Sequence, residues 1–202
     1  MPQHQITLIS NSGRVKLVPP SAADDEAIAI LRTHPITRLH LPFLPENFTT
    51  DDARIRREKM ENDPEEQSLN FTVYLHNSDG TMSFAGSASL FQIDSFNDSC
   101  SIGILISPEY HRRGVASEVL YMLFIFAFEQ KKLHRVVFDT GADNVKMQGW
   151  LENVLGAQLE YRNRECWKAG PGQYVDAIGY AILDRDWAGG MKARLEQRLY
   201  KV

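Results

Sequence analysis

Apolar positions along the chain change period several times, and each change marks an element. Arg14–Val18 alternates and predicts a short strand, which Pro19 and Pro20 end. Ser21 is a good N-cap with acids early in the turn that follows, so a helix is expected over Ala22–Thr33, closed by His34 and Pro35. His40–Phe48 holds prolines among apolar residues and reads as a loop. Thr49 or Thr50 then caps a second helix over Asp51–Asn62, and two helices joined by an apolar loop could form one wall of a cleft. Leu69–His76 and Thr81–Ile93 read as strands joined by a hairpin turn at Asn77–Gly80, because Asp79 and Gly80 tolerate positive φ.

Cys100–Ile106 is apolar almost throughout, which predicts a central strand. Gly114–Gln130 has almost no polar face, so it reads as a helix buried on several sides. A strand over Leu133–Thr140, a helix over Asn144–Leu155 with Gly156 as its C-cap, and strands over Gln158–Arg164 and Gln173–Leu183 follow. Asp184 can cap a terminal helix that Gly189 and Gly190 weaken. The string is a mixed α/β fold, antiparallel early, with a strand–helix–strand crossover in the middle.

Composition narrows the class. With 202 residues, 43% of them hydrophobic and 24% charged, the chain reads as a soluble globular protein, and one domain over residues 1–202 is expected. A net charge of -4 argues against a general nucleic-acid binder, which needs a basic face. Cys100 and Cys166 are too few for a disulfide framework or a tetrahedral metal site, and the histidines show no ligand spacing, so no metal and a reducing, cytoplasmic setting are expected. The N-terminus has no basic-then-apolar secretory pattern. The most apolar run, Val119–Phe128, is shorter than the roughly 20 residues a membrane span takes.

Ser107–Leu120 carries the candidate chemistry. A strand ends at Ile106, a helix begins near Gly114, and His111, Arg112 and Arg113 lie between. The first amides of a helix have no internal partners and sit at the positive end of its dipole, so they suit a phosphate. Gly114 lets a ligand approach the backbone, Ala116 and Ser117 keep the first turn uncrowded, and the arginines add charge. Neither the P-loop pattern nor the dinucleotide Gly-x-Gly-x-x-Gly is present. The alternative for Arg112 and Arg113 is a solvated turn.

His111 to Ala116 resembles the Gln/Arg-x-x-Gly-x-Gly/Ala pyrophosphate turn of the GNAT acyl-CoA N-acyltransferases. The likeness to their RimJ/RimL-like branch spreads over Gly86, Ser101–Ile104, Pro108–Tyr110, Ala127–Phe128, Leu133–Val136, Gly172–Asp176 and Tyr180–Leu183. It implies a central, mostly antiparallel mixed sheet flanked by helices. It also implies acetyl-CoA as cosubstrate and an amine acceptor, either a small molecule or a protein N-terminus. Backbone groups of Ile104, Leu105 and Ile106 would pair with pantetheine. His111, Arg112, Arg113, Gly114, Val115, Ala116 and Ser117 would hold the pyrophosphate, and Asn144, matching the Asn of the family's Asn-x-x-Ser/Ala helix start, would also contact the cofactor. The acceptor cleft would lie between Arg38–Phe48 and Lys168–Tyr174.

The chain departs from that pattern at several points. His111 replaces the usual Gln or Arg, Ser101 stands where many relatives carry Glu, and Met147 interrupts the usual Asn-x-x-Ser/Ala helix start. Glu152 falls where the branch has an acidic tyrosine. Ser101 and Glu152 are the catalytic candidates, each with a structural alternative, and Asn144 reads equally as a helix cap. Loss of the usual acid and base leaves a rival function, a GNAT-like module that binds acyl-CoA with little transfer. An unrelated α/β phosphate binder is a third reading. An exposed late edge strand could pair subunits into a homodimer.

Overall fold

A computed structural model describes residues 4–62 and 67–200. Two short strands, β1 (Leu8–Ile9) and β2 (Val15–Val18), lead through a 3-10 turn at Ala22–Asp24 into α1 (Asp25–Thr33), α2 (Pro35–Arg38) and α3 (Thr50–Glu61). Strands β3 (Ser68–His76), β4 (Met82–Asp94) and β5 (Ser99–Ile106) form a meander. Helix α4 (Val115–Phe124) continues as a π-helical stretch to Gln130 and crosses to β6 (Arg135–Gly141). Helix α5 (Val145–Gly149) is likewise prolonged to Leu155, before β7 (Gln158–Gly170) and β8 (Gln173–Leu183). The last segment runs from α6 (Asp184–Asp186) to α7 (Lys192–Tyr200).

The strands make one sheet in the order β1-β2-β3-β4-β5-β6-β8-β7. Every neighbouring pair is antiparallel except β5 and β6, which are parallel because the α4 crossover returns the chain in the same direction. Val115–Gln130 is helical, one residue later than the expected start at Gly114, which caps it instead. Val119, Leu120, Leu123 and Phe124 are buried in the same core as Val73, Leu90, Ile102 and Val136. Trp187 closes this layer against Tyr121, Phe124 and Phe128.

The opposite face carries α1 and α3. Buried Asp24 accepts hydrogen bonds from Thr72 Oγ1 at 3.1 Å and from the Tyr74 hydroxyl, which ties the start of α1 to β3. Thr49 and Asp52 form a reciprocal capping box at α3. Arg57 forks onto Asp25 at 3.0 and 2.9 Å and reaches Glu61 at 3.0 Å, so the two helices stand as one wall. Among the described residues no helix is long and apolar enough to cross a membrane.

Three details differ from the sequence expectation. Strand β7 runs on to Gly170 rather than stopping at Arg164, because register shifts between Leu159 and Tyr161 and between Asn163 and Trp167 absorb the break in its polar pattern. Asp184 is the first residue of the terminal helix, not its cap; Leu183 holds that position, and the Asp186 carboxylate accepts the Leu183 amide at 3.3 Å. A two-residue strand, β1, pairs with β2 where no element was expected, too short for periodicity to show.

Gly86 sets how closely β4 meets β5. Its φ is +151°, and a Cβ there would lie 2.1 Å from the Leu105 carbonyl oxygen. The obstacle is backbone, so it cannot swing aside. Gly86→Ala should cost about 2–4 kcal/mol of stability, read as a lower urea midpoint; an unchanged midpoint would show that the strands separate freely.

Candidate active site

The parallel pair is joined over a short stretch only. Ser99, Cys100 and Ser101 of β5 pair with Arg135, Val136 and Val137 of β6, and no further pairing follows among the described residues. Toward β4, by contrast, β5 stays in register as far as Ile106. Beyond Ser101 and Val137 the two strands share no pairing among the described residues, and this unpaired stretch, the gap, leaves main-chain donors and acceptors of Ile102–Ile106 for a ligand. Ile104, Leu105 and Ile106, expected to meet pantetheine, lie on this open edge.

The basic turn stands at the mouth of the gap. Gly114 is the N-cap of α4 with φ +79°, and Arg112 is left-handed at +62°. The first amide of the helix to find a carbonyl is that of Glu118, which donates to Gly114 O at 3.1 Å. The amides of Val115, Ala116 and Ser117 have no partner among the described residues and suit an anion at the positive end of the dipole. Arg112 and Arg113 meet no carboxylate among the described residues; the Arg113 guanidinium lies 5.8 Å from the Tyr110 ring centroid.

Arg14, at the threshold of β2, braces this turn from behind. Both terminal nitrogens of its guanidinium donate to the Arg113 carbonyl at 3.1 Å, and it also pairs with Glu118 at 3.3 Å. Glu118 is only 5% exposed, so its carboxylate fixes the guanidinium from the buried side. Sequence reading missed Arg14; nothing in its neighbourhood signals a partner a hundred residues away.

The remaining candidates are placed as follows. His111 Nε2 lies 2.9 Å from Ile106 O, so its ring locks the strand end to the turn. Ser117 Oγ accepts the Trp150 indole N–H at 2.9 Å, which ties α4 to the second helix of the crossover layer. Asn144 caps α5 through its Oδ1, 3.3 Å from the Met147 amide, while its Nδ2 donates to Thr140 Oγ1 at 3.0 Å. Ser101 is buried and donates to Gln92 Oε1 at 3.0 Å. Glu152 is exposed and accepts from the Tyr180 hydroxyl at 2.6 Å; burial, and then this carboxylate, push the Tyr180 pKa up.

Strand parity puts Ser101 and Glu152 on opposite faces. Cys100, Ile102, Val136, Phe138 and Tyr180 belong to the α4 core, and Glu152 bonds Tyr180 on that side. Ser101, Val137 and Asp139 point to the α1–α3 side. There the loop after α2 crosses the end of β6: the His40 carbonyl would lie 3.0 Å from a Cβ at Gly141, and His40 Nδ1 is 3.2 Å from Asp143. Phe43 meets Trp167 of β7 edge-on at 5.0 Å, closing the loop over the sheet.

A central parallel pair that splays beyond its first residues, with an anion-holding helix start beside the opening, is the architecture of an acyl-CoA N-acyltransferase. The profile of the Acetyltransferase (GNAT) domain matches residues 14–155, and the chain belongs to this family of acyltransferases. It is 29% identical over 107 residues to YdaF of Bacillus subtilis (strain 168), whose name places it among ribosomal N-acetyltransferases. That match covers 53% of the chain and spans 57% of YdaF. A crystal structure from T. thermophilus, titled as an acetyltransferase, is 28% identical, with TM-score 0.75 over 93% of this chain and 94% of that one. The fold is also that of the Vibrio cholerae spermidine N-acetyltransferase solved with CoA and spermine, at 18% identity, TM-score 0.74, and coverage of 88% and 99%.

Arg14→Lys keeps the charge but loses the fork on the Arg113 carbonyl. It should weaken coenzyme A binding about tenfold, the loss of one charge-assisted hydrogen bond, with an unchanged circular dichroism spectrum. Wild-type affinity in a calorimetric titration would remove Arg14 from the site.

Proposed function

We propose that the chain, as one domain, transfers the acetyl group of acetyl-CoA to a primary amine, of a small molecule or of a protein N-terminus. The observation that carries this reading is the continuity of two features: the open β5 edge and the α4 start, whose free amides stand beside two arginines without carboxylate partners. The diphosphate of acetyl-CoA would take Val115, Ala116 and Ser117 amides with Arg112 and Arg113. The pantetheine arm would run along Ile104–Ile106 into the gap.

An amide on that open edge would donate to the thioester oxygen as charge builds on it. The neutral amine nitrogen attacks the carbonyl carbon, the carbon–sulfur bond breaks, and the coenzyme leaves as thiolate. Of the two protons the ammonium must lose, one goes to solvent before attack and one to the thiolate. In this reading Ser101 holds a water at the closed end of the gap. Glu152, with Tyr180 behind it, stands on the face from which the thiolate could be protonated.

A binding module with little transfer is the second reading. It is favoured by the hydrogen bonds that already engage Ser101 with Gln92 and Glu152 with Tyr180. Thiol release separates the two. Acetyl-CoA should bind by calorimetry and release coenzyme A thiol when primary amines are added; binding with no amine-dependent release favours the module, and no binding overturns both. Gly114→Val should lower acetyl-CoA affinity about tenfold, because a branched residue is strained at φ +79° and its Cβ, 3.5 Å from Arg14 Nη2, would press on the guanidinium that braces the turn.

A further inference from the structure

Asp139 is unlike the other acids on its side of the sheet. Glu160 pairs with Arg135, and Asp143 lies 3.2 Å from His40 Nδ1. Asp139 meets no cation among the described residues, although it is exposed and lies on β6 two residues beyond the last pairing with β5. By parity it sits on the α1–α3 face, at the edge of the gap, beside Gly141 and the crossing His40 loop.

A built arrangement holds it there. Asp139 of β6 and Tyr161 of β7 both pair with Gly179 of β8, so the three form one cross-strand row. The Tyr161 ring lies flat across Gly179: a Cβ at that glycine would fall 2.0 Å from Tyr161 Cζ. Only glycine leaves room for the ring, and the ring spans β8 to donate its hydroxyl to Asp139 Oδ1 at 2.5 Å. Burial, and then the bond to Asp139, push the Tyr161 pKa up to about 12. The hydroxyl therefore stays a donor at neutral pH and fixes one carboxylate oxygen, while the other has no hydrogen-bond partner among the described residues.

We infer that Asp139, oriented by Tyr161 across Gly179, is the anchor for the ammonium group of the acceptor, which makes the acceptor a cationic amine entering from the α1–α3 face. The inference rests on the transferase reading above and adds the residue that recognises its second substrate. A fixed, cation-free carboxylate beside a gap is complementary to an ammonium, and a charge-assisted hydrogen bond there orients as well as attracts. The structural alternative, a brace between β6 and β7, does not need a charge; a neutral amide would also accept the tyrosine hydrogen bond, more weakly.

The test uses the full chain with acetyl-CoA and two kinds of nucleophile. Spermidine, an aminoglycoside and a peptide with a free N-terminus carry ammonium groups; hydroxylamine is uncharged at neutral pH. Asp139→Asn should raise KM for the cationic amine used by the wild type at least about tenfold, the worth of one charged hydrogen bond. Acetyl-CoA affinity and hydroxylamine turnover should stay unchanged. Tyr161→Phe should shift the same KM less, in the same direction. Wild-type KM in Asp139→Asn, or an equal loss with hydroxylamine, overturns the anchor while leaving the transferase standing. Transfer to hydroxylamine but to no cationic amine by the wild type also overturns it. Failure of the wild type to bind acetyl-CoA overturns the transferase reading itself, and the anchor with it.

Discussion

Strand β5 keeps its partner on one side and gives it up on the other. Toward β4 the ladder runs to Ile106, held close by a glycine whose missing side chain lets the Leu105 carbonyl in; toward β6 it ends at Ser101. A parallel pair at the centre of a sheet normally satisfies its main chain to the end, because unpaired buried amides and carbonyls are costly. Here the cost is accepted along one edge, and the rest of the molecule is arranged about it. The α4 start stands at the mouth of the gap, the α5 cap stands over the end of β6, and the loop after α2 crosses the same end.

The two mouths of the gap have opposite electrostatic character. At α4, uncommitted amides, the helix dipole, Arg112 and Arg113 favour an anion, and Arg14 with buried Glu118 holds the turn in shape. On the α1–α3 face the carboxylate of Asp139 has no ionic partner among the described residues. An anionic donor and a cationic acceptor would thus be drawn to separate entrances and meet in a slot across which the strands do not pair. Membership of the GNAT family fits this layout, and the family match from residue 14 to 155 takes in Arg14, the gap and Asp139.

Rigidity comes from the layers rather than from the gap. One face of the sheet is sealed by an almost wholly apolar helix and the Trp187 aromatic cluster, the other by two helices riveted through Arg57 and Asp25. A buried ion pair of this kind contributes little net stability but fixes geometry, because either partner alone would be left uncompensated. The α1–α3 wall is therefore held in one position, while the loop between its helices is anchored by Phe43 on Trp167.

Much of this was legible along the chain. The meander, the crossover, the buried helix and the basic turn each follow from short-range pattern: a period of two, a period near 3.6, a glycine after charges. The helix start beside Gly114 agrees with expectation because helix boundaries are local properties, whereas the unpaired edge at Ile104–Ile106 was expected only from the family resemblance. What only the folded chain decided is which side chains meet. Arg14 finds Arg113 and Glu118, Tyr161 reaches Asp139 over Gly179, and Ser101 and Glu152 part to opposite faces, because sheet order and strand parity join residues that sequence separation keeps unrelated.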